Sequence, residues 1–144
     1  MLACALAPAV GRCDPVSLDQ ITAQLFYSMT GTLSQNIAPP AHFSSWNTVI
    51  GEGDAKEPAT DLVVGVVLTA VQPQTTDATP LVVTARQPGG KVLAQRTYRN
   101  ILVERGRLVK VLFLPDVTCI GQIDIVATLG AQTRSATVHL DCGE

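Results

Sequence analysis

Charge is scarce in this 144-residue chain: Asp, Glu, Lys and Arg together make up 15% of it, against about 25% in an average soluble domain. The ten Lys and Arg residues are scattered and the net charge is −2, so there is no basic patch to neutralise a phosphate backbone and no nucleic acid partner is expected. Long apolar runs are missing as well. Nothing approaches the roughly 18 to 20 consecutive apolar residues that cross a bilayer, so no transmembrane span is expected in the mature chain. Helical periodicity is nearly absent, because Gly, Pro or β-branched runs interrupt every window that would carry apolar residues at i, i+3, i+4 and i+7.

The motifs of common chemistry are also lacking. There is no Gly-x-Ser-x-Gly elbow, no phosphate loop of either glycine-rich kind, and the two histidines, His42 and His139, lie in different regions. No transition-metal cluster, nucleotide or other cofactor is therefore expected, and catalysis is not the favoured reading.

What is present is apolar and β-rich. Hydrophobic residues make up 47% of the chain, and 144 residues suffice for one core. "SLDQITAQLFY" (17–27) could open as a capped helical turn, since Gln20 follows Ser17 at capping-box spacing. Strand is preferred from Ile21 to Ser28, with Ile21, Ala23, Leu25 and Tyr27 on one face. "DLVVGVVLTAV" (61–71) is apolar on both faces, which predicts a strand covered on both sides. "PLVVTARQ" runs into the turn Pro88-Gly89-Gly90, and "KVLAQRTYR" returns. Ile101–Val103 and "LVKVLFLP" follow, ended by Pro115, which has no N–H for a ladder. In the latter, Val109, Val111 and Phe113 can form the inward face and leave Leu108, Lys110, Leu112 and Leu114 outside. Seven or eight short strands predict an all-β fold, an antiparallel two-sheet β-sandwich. In rhythm the pattern resembles immunoglobulin-like and fibronectin-like sandwiches, although Trp46 precedes the Cys119/Cys142 pair and the Cys…Trp…Cys signature is missing.

The closing stretch, "CIGQIDIVATLGAQTRSATVHLDC", fixes a register. Ile123, Ile125, Ala127 and Leu129 form one inward set, and Ala136, Val138, Leu140 and Cys142 the other. With Gly130-Ala131 as a two-residue type II′ turn, Leu129 opposes Gln132 and Ile125 opposes Ala136. The same register places Cys119 opposite Cys142, within the reach of a disulfide. Cys4 and Cys13 match neither a redox nor a zinc spacing; if the N-terminus survives processing they form a second, small disulfide loop, and if Cys4 is removed Cys13 is left odd and free to pair between chains.

Residues 1–16 are signal-like: an alanine-rich apolar stretch followed by small-residue sites at Ala5-Leu6-Ala7 and Ala7-Pro8-Ala9, without a basic leading region. Together with the cysteines this predicts a periplasmic or secreted protein whose residues 17–144 form one domain. Its longest irregular segment, 38–60, is the candidate site, with His42, Phe43, Trp46 and Asn47 as binding residues. The competing structural reading has Phe43 and Trp46 folding back to plug the open end of the sandwich. Two alternatives stand beside binding. One is a small extracytoplasmic hydrolase with Ser44 or Ser45 as nucleophile and His42 as base. The other is a calcium-stabilised module using Glu52, Asp54, Glu57 and Asp61. An apolar outer face on 61–71 needs a cover, which the N-terminal strand and the 38–60 loop, a second copy in a homodimer, or another protein partner would supply.

Overall fold

Two-residue alternation decides the architecture. The structure, a computed structural model, describes residues 16–38, 42–76 and 79–143; the signal-like segment and the Cys4/Cys13 pair lie outside the described residues. The strands are β1 (Ser17–Tyr27), β2 (Thr32–Leu33), β3 (Asp61–Ala70), β4 (Gln74–Thr75), β5 (Leu81–Arg86), β6 (Val92–Tyr98), β7 (Leu102–Val103), β8 (Gly106–Leu114), β9 (Gly121–Leu129) and β10 (Gln132–Leu140). Among the described residues the helical content is one 3₁₀ turn, Thr48–Ile50. The helical turn weighed at Ser17 does not form, because β1 already begins there and pairs with β3.

Two antiparallel four-stranded sheets, β2-β1-β3-β8 and β10-β9-β5-β6, face one another, and β4 and β7 form a small separate ribbon. The fold is the expected all-β two-sheet sandwich. Inward residues alternate along each strand: Ile21, Ala23, Leu25 and Tyr27 on β1, Leu62, Val64, Val66 and Leu68 on β3, and Ile123, Ile125, Ala127 and Leu129 on β9. Each such Leu, Ile or Val contributes about 1.5–3 kcal/mol relative to exposure.

The β9–β10 hairpin has the expected register without a shift, Leu129 opposite Gln132 and Ile125 opposite Ala136. Gly130 takes φ +57° while Ala131 stays on the ordinary side. One positive φ at the first turn position is the II′ pattern, which glycine adopts without steric cost.

On β8 the faces are the reverse of the expected ones. Leu112 and Leu114 are buried, whereas Val111 and Phe113 point to solvent. Lys110 therefore lies on the inward face, opposite Val66, and its ammonium reaches the sandwich rim 5.4 Å from the Tyr98 ring centroid. β8 is an edge strand, and a lysine at an edge can bury its stem and keep its head wet.

Edge strands left bare would template aggregation, and here each long edge has a partner. The Tyr98 hydroxyl donates to the Val111 carbonyl, tying the β6 edge to the β8 edge, with Arg96 stacked 4.8 Å from the same ring. On the opposite side Gln132 imitates a strand, accepting from the Leu18 amide at 2.8 Å and donating to the Val16 carbonyl at 2.9 Å. The second half of β1 is covered by β2 and the 34–37 segment, through Ser34, Asn36 and Ile37.

Candidate functional site

The last edge, the C-terminal half of β10, is covered by the loop that the sequence singles out. Ser45 Oγ donates to the His139 carbonyl, the Asn47 amide donates to the Asp141 carbonyl at 2.8 Å, and the Gly143 amide donates to Asn47 Oδ1 at 2.8 Å. Residues 45–47 thus run beside 139–143 as an irregular extra strand. Within that strip lies Cys142, joined to Cys119 by a disulfide with Cα atoms 4.9 Å apart. The disulfide ties the strip to the segment leading into β9.

Asn47 organises the loop. It adopts a left-handed backbone (φ 47°, ψ 38°), which asparagine tolerates better than most residues. Its carbonyl accepts from the Ile50 and Glu52 amides, and its Nδ2 donates to Glu52 Oε2 at 2.7 Å. With both side-chain polar atoms held by the scaffold, Asn47 is an anchor of the loop rather than a free contact. Further along, the Asp54 amide donates to the Ser44 carbonyl at 2.9 Å and Asp54 Oδ2 accepts from the Ser44 amide at 2.6 Å. The Ala59 amide closes back on the Thr48 carbonyl.

The four expected binding residues therefore separate by role. Phe43 is half-buried and packs against the core, which is the plugging role. Trp46 does not plug: it is 46% exposed. Its ring lies over Gly143 so closely that a β-carbon there would stand 3.2 Å from Cζ2. A side chain at 143 would make the indole shift by a few tenths of an ångström. His42 is exposed and lines a shallow hollow of about 230 Å³ with Tyr27, Ser34, Asp54 and Lys56, smaller than the 300–1,000 Å³ typical of small-molecule sites.

Of the two serines weighed as nucleophiles, Ser45 donates from Oγ to the His139 carbonyl, 94 residues away in sequence. The four carboxylates proposed for calcium take separate partners. Glu52 accepts from Asn47, Asp54 from Ser44, Glu57 from the Thr30 hydroxyl, and Asp61 from the Asp116 amide and the Thr60 hydroxyl. Among the described residues no three His, Cys, Asp or Glu side chains gather as a metal site. The tether that makes this loop a platform was invisible in the sequence, because its partners at 139, 141 and 143 are polar backbone groups.

Fold and site together define a disulfide-bonded antiparallel β-sandwich with a loop strapped along one edge. No family model matches the chain, and no curated protein matches it. Among solved structures it is similar to the ligand binding region of Serine-glutamate repeat protein A (SgrA) of Enterococcus faecium, with 10% identity and a TM-score of 0.32 over 52% of this chain and 73% of that one. No helix among the described residues is long and apolar enough to cross a membrane.

Proposed function

We propose that the chain is an exported, non-catalytic binding module that recognises a protein or surface ligand through the loop, with Trp46 as its aromatic anchor and residues 17–144 as the module. The observation behind this reading is the tryptophan itself, half in solvent on a loop whose backbone is fixed on both sides of it. An unsupported exposed indole would lose rotamer and backbone freedom on binding. One held in advance loses little, so more of its contact energy appears as affinity. His42 is the polar neighbour able to supply hydrogen bonds at the rim, beside Lys56 and Asp54. Export to the periplasm or beyond is supported by the Cys119–Cys142 disulfide, since such bonds persist in oxidising compartments.

The test uses an array of glycans and immobilised peptides, probed with labelled full chain and with Trp46→Ala. The expected result is at least a tenfold loss of whatever binding the native protein shows, with the melting temperature unchanged. Binding that survives Trp46→Ala at full strength would remove the loop from the recognition surface.

A further inference from the structure

The two outer faces of the sandwich differ in chemistry. Over β10-β9-β5-β6 the side chains that alternate with the buried ones include Gln122, Asp124, Thr128, Ser135 and Thr137, with Gln122 and Thr137 both donating to Asp124. That face is built for water. Over β2-β1-β3-β8 the corresponding side chains include Phe26, Leu33, Val63, Val109, Val111 and Phe113, with the two phenylalanine rings edge to face at 6.2 Å. Val67, between Gln20 and Val109 in the register, is already shut off from solvent. Leu33, Val111 and Phe113 are 45%, 41% and 46% exposed. Leu33 borders the hollow beside His42 and Phe43 of the loop, while Val111 and Phe113 face solvent.

Charge on this face lies toward its ends, where Asp116 stands beside Asp61 at one and Asp19 is exposed at the β1 bulge near the other. Asp61 opens β3 at one end, and Arg107, opposite Thr69, stands at the other, about 27 Å away at about 3.4 Å per residue. Gln20, Thr22 and Gln24 are the polar residues of β1 between them. Past the Asp61 end Met29 stands 77% exposed. Past the Arg107 end lies an open hollow of about 360 Å³ lined by Val71, Gln72, Pro73 and Arg105.

A two-fold axis lying in the face and perpendicular to the strands exchanges those ends. It sets Asp61 of each copy toward Arg107 of the other and lays the apolar middle on itself. The Asp61 and Arg107 charges that face each other are opposite in sign, and the contact closes on itself as an isologous dimer must. Three strands of nine to eleven residues about 4.8 Å apart, with the two-residue β2 beside them, give a footprint of roughly 450 Å² per copy, in the range of weak, transient contacts. We propose that the outer face of the β2-β1-β3-β8 sheet is a self-association surface, on which a second copy of this chain packs with Asp61 facing Arg107. The dimer is weak and reversible, and it places both Trp46 loops in one particle.

Sedimentation velocity of the full chain across the micromolar range tests this. The expected result is a monomer–dimer equilibrium that Phe113→Lys weakens at least tenfold and Arg107→Glu weakens at least threefold, while Ser135→Lys on the opposite face leaves it unchanged. Phe113, Arg107 and Ser135 are all exposed, and circular dichroism verifies that each variant folds. A native protein that stays monomeric throughout, or a dimer indifferent to Phe113→Lys, would overturn the proposal. Trp46→Ala is included because it should leave dimerisation intact, which separates failure of this inference from failure of the loop reading.

Discussion

At the scale of single residues, Asn47 shows how a loop position can look like a binding residue and serve as a fastener. Its side chain accepts from Gly143 and donates to Glu52, and its backbone sits at φ 47°. Asn47→Ala removes two partly solvated hydrogen bonds and puts a less tolerant residue in the left-handed region, a loss of about 1–2 kcal/mol. That corresponds to roughly 3–6 °C in Tm for a chain of this size. Asn47→Gly restores the backbone freedom alone and should recover about half of the loss; differential scanning calorimetry of the two variants separates the contributions. Equal losses would show that the backbone conformation is not part of Asn47's role. Sequence pattern flagged Asn47 through its position beside Trp46, but its partners lie 94 and 96 residues further on, at Asp141 and Gly143. No local rule could have found them.

At the scale of elements, the β9–β10 hairpin and its disulfide are the part most legible from sequence, and the reason is physical. Apolar residues alternate without interruption on both strands, one glycine marks the turn, and a one-residue slip would turn every core residue outward. β8 was misread because that argument fails for it: Val109, Val111 and Phe113 are as apolar as Leu108, Leu112 and Leu114, so alternation alone could not choose a face. Lys110 argued for the wrong one, since its ammonium escapes over the rim beside Tyr98. The disulfide carries an element-scale prediction. Replacing Cys119 and Cys142 by alanine should cost about 3 kcal/mol, and the loss should be felt first where the strip 139–143 holds the loop. In hydrogen exchange, the amides of Asn47 and Gly143 should lose protection well before those of Ile123 and Ile125 in the core. Uniform loss across the molecule would mean that the disulfide and the loop are not mechanically linked.

At the scale of the whole molecule, the chain's shortage of charge and surplus of apolar residues divide between a core that is continuous across both sheets and one outer face that stays apolar. Edges are closed by local devices: Tyr98 between β6 and β8, Gln132 between β1 and β10, and the loop along the rest of β10. The disulfide, next to the strip that holds residues 45–47, fits an oxidising compartment. The central claim, that this is an exported module whose loop platform is held by an oxidised cysteine pair, is tested most directly by the intact mass of the protein purified from its own host, alkylated before and after reduction. The account predicts that Cys119 and Cys142 take up alkylating reagent only after reduction. A chain whose Cys119 and Cys142 react without reduction would contradict it.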